Sequence, residues 1–150
     1  MLIVEHDRNH CLLLEEELAG EGYRTLTAAS AAEAIDRLNE RAPDLVVLDL
    51  RLPGRHGAEF AEALRATHPG LPIVVHTGDA AYHQSFLPRT TAACVLKNSD
   101  LRPLTEAVRR LLAARCAQWS AGSADPEPQA ESARSRREAS ANRPSVAALA

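Results

Sequence analysis

Four side chains that could act together on a phosphoryl group each follow a short apolar run. Asp49 closes the run 45–48, and Glu5, Thr77 and Lys97 close three others. A carboxylate such as Asp49 can attack phosphorus to form an acyl phosphate. A cation, a hydroxyl group and a metal-binding carboxylate would then position the group and neutralise its oxygen charge. A turn-forming role would explain Asp49 alone, but it does not explain the four residues together.

A parallel sheet would bring these four residues to one edge, because open α/β sheets place their ligands at the carboxyl ends of the strands. Five predicted strands alternate with about five predicted helices, which is the pattern of a doubly wound parallel sheet. The predicted strands are 1–4, 23–28, 45–48, 71–77 and 91–96. The predicted helices are 9–20, 30–41, one that ends before residue 68, a weak segment at 80–88, and 101–116.

Local signals define several helix ends and buried faces. Ser30 and Glu33 have the spacing of a capping box at the start of the second helix, which is predicted to bury Ala34, Ile35 and Leu38. Apolar residues at helical spacing predict the buried faces of the other helices: Cys11, Leu14 and Leu18, then Phe60, Ala61 and Leu64, then Leu104, Val108, Leu111 and Leu112.

Composition narrows the class of protein. With 150 residues, 45% hydrophobic and 25% charged, the chain has globular values and the length of one domain. A net charge of -3 and 3% aromatic residues argue against binding to nucleic acid or to an anionic membrane. Cys11, Cys94 and Cys116 are scattered, which predicts neither a disulfide framework nor a zinc site. No apolar run is long enough to span a membrane, so we expect a cytoplasmic protein.

The last thirty residues differ from the rest. Ala, Ser, Pro, Glu and Arg dominate residues 120–150, and such a segment cannot bury enough apolar surface to become ordered. We therefore predict a domain at 1–119 and a disordered tail at 120–150. Because the tail carries no output domain, we expect a single-domain protein.

Three motifs, in order, resemble those of receiver domains of bacterial two-component response regulators, of the chemotaxis-regulator type. They are Asp49-Leu-Arg-Leu-Pro-Gly-Arg-His-Gly57, His-Thr77-Gly78 and Val-Leu-Lys97, and Glu5 matches the first residue of the family's acidic pair. The resemblance covers residues 1 to about 117. It implies a flavodoxin-like sheet of order 2-1-3-4-5, with Asp49 as the phosphoacceptor and with Thr77, Gly78 and Lys97 in contact with the phosphoryl group.

The donor implied by the resemblance is a phosphohistidine on a sensor histidine kinase or a histidine phosphotransfer protein. The implied cofactor is Mg²⁺, held by Glu5, Asp49 and the backbone carbonyl of Arg51. The family's second acid is replaced here by His6, although Mg²⁺ prefers oxygen ligands. His6 could weaken Mg²⁺ binding and slow phosphorylation, could favour Mn²⁺, or could leave Asp7 to substitute; it could also be a turn residue of a domain that binds no metal.

The resemblance also implies a switch. Phosphorylation would draw Thr77 towards Asp49 and bias a surface made by the fourth helix, the fifth strand and the fifth helix, which a downstream protein or a second copy of the chain would bind. Cys94 stands where the family has an aromatic switch residue, and Asn98 follows Lys97 where the family has proline. These departures favour a second interpretation: a receiver-like binding module that never accepts phosphate.

Arg51 and Asp79 each lie two residues beyond a strand-end residue. From there they would overhang Asp49, either paired with each other or with Arg51 touching the phosphoryl group and slowing attack by water. Any catalysis would be limited to self-catalysed phosphotransfer and autodephosphorylation. The other histidines have no ligand-like spacing and are interpreted as ordinary surface or core residues.

Overall fold

Five apolar runs form one parallel sheet in the computed structural model, which describes residues 1–81 and 92–122. The strands in chain order are β1 (Leu2–Val4), β2 (Leu26–Ala28), β3 (Val46–Leu48), β4 (Arg51–Leu52), β5 (Arg55–His56), β6 (Ile73–Thr77) and β7 (Ala93–Leu96). The sheet order is β2-β1-β3-β6-β7, and all four pairings are parallel. This is the predicted order 2-1-3-4-5, because β4 and β5 pair only with each other.

Helices cover both faces of this sheet. They are α1 (Arg8–Gly20), α2 (Ala31–Glu40), α3 (Gly57–Thr67) and α4 (Arg102–Gly122). Side chains alternate along a strand, so Leu2 and Val4 pack with α2 and α3, whereas Ile3 packs with α1 and α4. Within residues 1–81 and 92–122, none of the helices has the length and apolar character that a membrane crossing requires.

Side chains at the starts of two helices satisfy backbone donors that lack a helical partner. The Ser30 hydroxyl accepts from the Glu33 amide at 3.2 Å, and the Glu33 carboxylate accepts from the Ala29 amide at 2.9 Å. This confirms the predicted pairing of Ser30 with Glu33. Asp7 caps α1 by accepting from the His10 amide at 2.9 Å.

Three details differ from the sequence predictions. Residues 51–56, for which no strand was predicted, form the short antiparallel hairpin β4–β5. Ile35 was predicted to be buried, but it is 42% exposed because Ala34 and Leu38 already fill the inner face of α2. Helix α4 ends at Gly122 rather than near 116. The predicted helix at 80–88 lies mostly outside the described residues, and so does the predicted tail beyond 122.

Candidate functional site

Two buried carboxylates lie side by side at the carboxyl edge of the sheet. Glu5 and Asp49 directly follow β1 and β3, which pair in parallel with Val4 opposite Leu48. Residue exposures of 3% for Glu5 and 2% for Asp49 show that both are removed from solvent. Buried carboxylates repel each other and lose hydration, so they require compensating partners.

Lys97 supplies a cation that both carboxylates share. Its Nζ lies 2.5 Å from Glu5 Oε2 and 3.0 Å from Asp49 Oδ2, so one ammonium group bridges both acids. The residue follows β7, and its amide donates to the Thr77 carbonyl at 2.8 Å. The sheet therefore brings the predicted lysine to both predicted carboxylates.

The immediate surroundings of Asp49 favour its ionised form. Burial disfavours the charge, but the Arg51 amide, which donates to Oδ1 at 3.1 Å, and the Lys97 ammonium outweigh burial and hold the pKa of Asp49 below its usual value. Asp49 is therefore an anion near neutral pH, which is the form that can act as a nucleophile.

The chain after Asp49 is held by a close backbone approach. The Gly57 amide donates to the Leu50 carbonyl at 3.0 Å. A Cβ atom on Gly57 would lie 2.5 Å from Leu50 Cα and 2.6 Å from its carbonyl oxygen. Glycine is required here because any side chain would collide with backbone, and this contact fixes the turn beside the acid.

His6 completes a group of three potential metal ligands. Its Nδ1 lies 3.2 Å from Asp49 Oδ2 and 3.4 Å from Glu5 Oε1. One ligand atom from each of Glu5, His6 and Asp49 lies within 4.8 Å of the other two, and this donor set fits a metal site. The Asp7 carboxylate instead caps α1, while the Asp7 amide donates to Glu5 Oε1 at 3.0 Å.

Two further histidines lie behind Glu5, and the sequence interpretation missed them. His10 Nε2 is 3.8 Å from Glu5 Oε2 and 3.5 Å from Nδ1 of the buried His76. The two rings stack with centroids 5.2 Å apart. Desolvation, the His10 ring and the Lys97 charge lower the pKa of His76 to about 4. The one signal in the sequence was a histidine inside an otherwise apolar strand.

The remaining predicted residues surround this centre. Thr77 is fully buried, and its hydroxyl accepts from the Asp79 amide at 3.2 Å. Arg51 Nη2 would lie 3.2 Å from a Cβ on Gly78, so the guanidinium group sits over that glycine.

Asp79 and Cys94, two further predicted residues, have other partners. The Asp79 carboxylate accepts from the Ala81 amide at 2.8 Å, and no ion pair joins it to Arg51 within the described residues. Cys94, half-buried on β7, lies opposite Val75 in the register.

An open cavity of about 600 Å³ lies over the site. It is lined by Glu5, His6, Asp7, Asn9, His10, Leu13, Arg51 and Lys97. Asp49 does not line this cavity, although two of its direct partners, His6 and Lys97, do. A reagent that enters the cavity would therefore reach Asp49 after these side chains move.

Comparison with known proteins gives a consistent set of relatives. Residues 1–109 match the family model described as "Response regulator receiver domain". Sporulation initiation phosphotransferase F of Bacillus subtilis (strain 168) is 28% identical over 114 residues, which cover 75% of this chain and 92% of that protein. The transcriptional regulatory protein ZraR of Escherichia coli O157:H7 is also 28% identical, over 115 residues. That match covers 75% of this chain, but the chain spans only 26% of ZraR.

A solved structure agrees in fold and in sequence. The response regulator protein TrrA of Thermotoga maritima, in complex with Mg(2+)-BeF, superposes with a TM-score of 0.70 at 32% identity. The match covers 73% of this chain and 96% of that one.

Proposed function

This chain belongs to the response regulator receiver domain family, and we propose that within it Asp49 accepts a phosphoryl group from a phosphohistidine donor. The observation that carries the proposal is the environment of Asp49: a carboxylate that is 2% exposed and yet held ionised by Lys97 and the Arg51 amide. A structural carboxylate has no need of a buried position beside a second acid, because a solvated position costs less free energy.

In the proposed reaction an Asp49 carboxylate oxygen attacks phosphorus. The P–O bond forms while the P–N bond of the donor breaks, and the electron pair returns to the donor imidazole. Lys97 provides a fixed positive charge for the phosphoryl oxygens. Thr77 is the last residue of the neighbouring strand β6 and Gly78 follows it; we assign the Thr77 hydroxyl and the Gly78 amide the remaining phosphoryl contacts.

Glu5 and Asp49 are the residues that would hold the Mg²⁺ implied by the family, with the Arg51 carbonyl as a further oxygen ligand. TrrA, a relative, was solved with Mg(2+)-BeF. Bound Mg²⁺ would neutralise charge on the transferred oxygens. His6 adds a nitrogen to these oxygens, which makes Mn²⁺ a second candidate because it accepts imidazole ligands more readily.

We propose that the response is read by proteins. Movement of Thr77 towards a phosphoryl group on Asp49 would shift the end of β6, and β7 with Cys94 pairs directly with that strand. The expected surface combines β7, which is the fifth strand of the sheet, with α4, which is the predicted fifth helix. It also includes the segment 82–91, which lies outside the described residues. Its occupant is a downstream protein or a second copy of the chain.

The net charge of -3 favours neither nucleic acid nor an anionic membrane surface as a partner. The scattered cysteines fit a reducing compartment such as the cytoplasm.

A second function is favoured by one observation, the imidazole of His6 at the position of an expected acid. If His6 prevents metal binding, the domain would dock on partners without accepting a phosphoryl group. The donor proteins, a histidine kinase or a phosphotransfer protein, would then be docking partners rather than phosphoryl donors.

Intact mass spectrometry after incubation with acetyl phosphate separates the two functions. The proteins are wild type, Asp49→Ala, His6→Asp and the exposed-acid control Asp36→Ala, each with Mg²⁺, with Mn²⁺ and without metal. The phosphoacceptor proposal expects a gain of one phosphoryl group in wild type and Asp36→Ala and no gain in Asp49→Ala. A gain in His6→Asp without one in wild type would overturn the phosphoacceptor proposal and favour the binding module instead.

A further inference from the structure

We infer that Glu5, His6 and Asp49 form a site selective for late first-row divalent metals, such as Co²⁺, Ni²⁺ and Zn²⁺, over Mg²⁺. The inference rests on the proposed function only in using the same two carboxylates. It does not require that a phosphoryl group is ever transferred.

The separations of the donor atoms suit a small cation. His6 Nδ1 lies 3.4 Å from Glu5 Oε1 and 3.2 Å from Asp49 Oδ2. Two ligands of one cation, each bonded at about 2.0–2.2 Å, are roughly 3 to 3.5 Å apart. A metal could therefore bind between His6 and the carboxylates with small movements of the side chains.

The types of donor atom decide which cation is preferred. Mg²⁺ requires oxygen ligands and near-octahedral geometry, and one of the three side chains here offers nitrogen. Imidazole combined with carboxylates suits zinc and the late first-row metals, whose affinities rise from Mn²⁺ through Co²⁺ and Ni²⁺. The His6 side chain is 43% exposed, so it can turn towards a bound ion without disturbing the core.

The surroundings hold Glu5 in place for this role. The Asp7 amide donates to Glu5 Oε1 at 3.0 Å, and His10 Nε2 lies 3.8 Å from Glu5 Oε2. His10 is in turn stacked on the buried His76. Partners of this kind orient metal-binding carboxylates and strengthen their binding, and they leave His6 as the mobile ligand.

Lys97 sets a limit on the affinity. Its Nζ already contacts Glu5 Oε2 and Asp49 Oδ2. A dication held by Asp49 Oδ2 and Glu5 Oε1 would share the first oxygen with Lys97 and repel the ammonium group, so Lys97 must withdraw partly when metal binds. The repulsion acts equally on every dication. Selectivity therefore depends on His6 and not on charge.

Titration with Co²⁺, followed by its visible absorption, tests the inference without a phosphodonor. Zn²⁺ and Mg²⁺ are added as competitors. The variants are His6→Ala, His6→Asp and the control His68→Ala, which removes an exposed histidine that is not among the residues lining the cavity over the site. Circular dichroism checks that each variant is folded.

In wild type and His68→Ala, Co²⁺ and Zn²⁺ are expected to bind at least tenfold more tightly than Mg²⁺. His6→Ala should weaken Co²⁺ binding at least tenfold, and His6→Asp should lower the ratio of Co²⁺ to Mg²⁺ affinity by a similar factor. Equal binding of Co²⁺ and Mg²⁺ to wild type, or Co²⁺ binding unchanged in both His6 variants, would overturn the inference.

The outcomes for this inference and for the proposed function are separable. Co²⁺ selectivity without a phosphoryl gain in the mass experiment would overturn the phosphoacceptor function and support the metal site. A phosphoryl gain together with a preference for Mg²⁺ would support the phosphoacceptor function and overturn the inferred metal selectivity.

Discussion

Mild acid should destabilise this protein through His76, a histidine buried in β6. The residue is 2% exposed. Burial first, then the His10 ring and the Lys97 ammonium, lower its pKa from 6.5 to about 4. Between these two pH values the unfolded chain binds a proton that the folded protein does not. The free energy of unfolding therefore falls as the pH drops from about 6.5 towards 4.

The size of the effect follows from the interval between the two pKa values. Each pH unit corresponds to about 1.4 kcal/mol, so the full loss is about 3 kcal/mol, of which about 2 kcal/mol has occurred by pH 5. His76→Leu removes the titrating ring and keeps an apolar side chain in the strand. The other ionisable groups are common to both proteins, so the difference between wild type and variant isolates His76.

The assay is urea unfolding followed by far-ultraviolet circular dichroism at pH 7.5, 6 and 5. The control is His68→Gln, which removes an exposed histidine. Between pH 7.5 and 5, wild type and His68→Gln should each lose about 2 kcal/mol more stability than His76→Leu. Equal losses in all three proteins would refute the assignment of a neutral, buried imidazole to His76.

Three further substitutions test other contacts. Gly57→Ala should lower the free energy of unfolding in urea by about 1–3 kcal/mol, because the added Cβ collides with the Leu50 backbone. The control is Gly20→Ala, whose added Cβ has no atom within 4 Å. Equal effects of the two substitutions would contradict the collision. Lys97→Met should lower the free energy of unfolding by about 3 kcal/mol at pH 7, because it leaves two buried carboxylates without their shared cation. An unchanged urea midpoint would show that the ion pair does not contribute to stability. Arg51→Ala should speed dephosphorylation of the phosphorylated protein several-fold, because Arg51 lines the cavity over the site and would slow attack by water. The rate is read from loss of the added mass with time, and an unchanged rate would show that Arg51 does not slow the attack.

The sheet could be predicted from the sequence because its strands are short apolar runs that end in polar or glycine-rich turns. The strand order and the family are both confirmed. The hairpin β4–β5 was missed, since two-residue strands carry no periodic signal. The exposure of Ile35 was missed because an apolar residue at helical spacing can still lie at the margin of the buried face.

The sequence predicted the part of the site that follows from the parallel topology of the sheet. Residues at the ends of paired strands must be neighbours, and Glu5, Asp49 and Lys97 are in contact. The contact between His10 and His76 depends on how a helix side chain meets a strand side chain 66 positions away. No spacing in the sequence predicts that contact, because it depends on side-chain rotamers and on the packing of α1 against the sheet.

The ion pair between Glu5 and Lys97 also bears on the order of folding. The two residues are separated by 92 positions, and the contact requires both β1, in the interior of the sheet, and β7, at its edge. Contacts between residues so far apart in the sequence form late in folding, because closing a long loop costs chain entropy that is offset only once the contacts are made. A nascent or truncated chain without β7 would carry Asp49 without its cation. Under the proposed function, competence for phosphorylation would therefore be acquired in one of the last steps of folding.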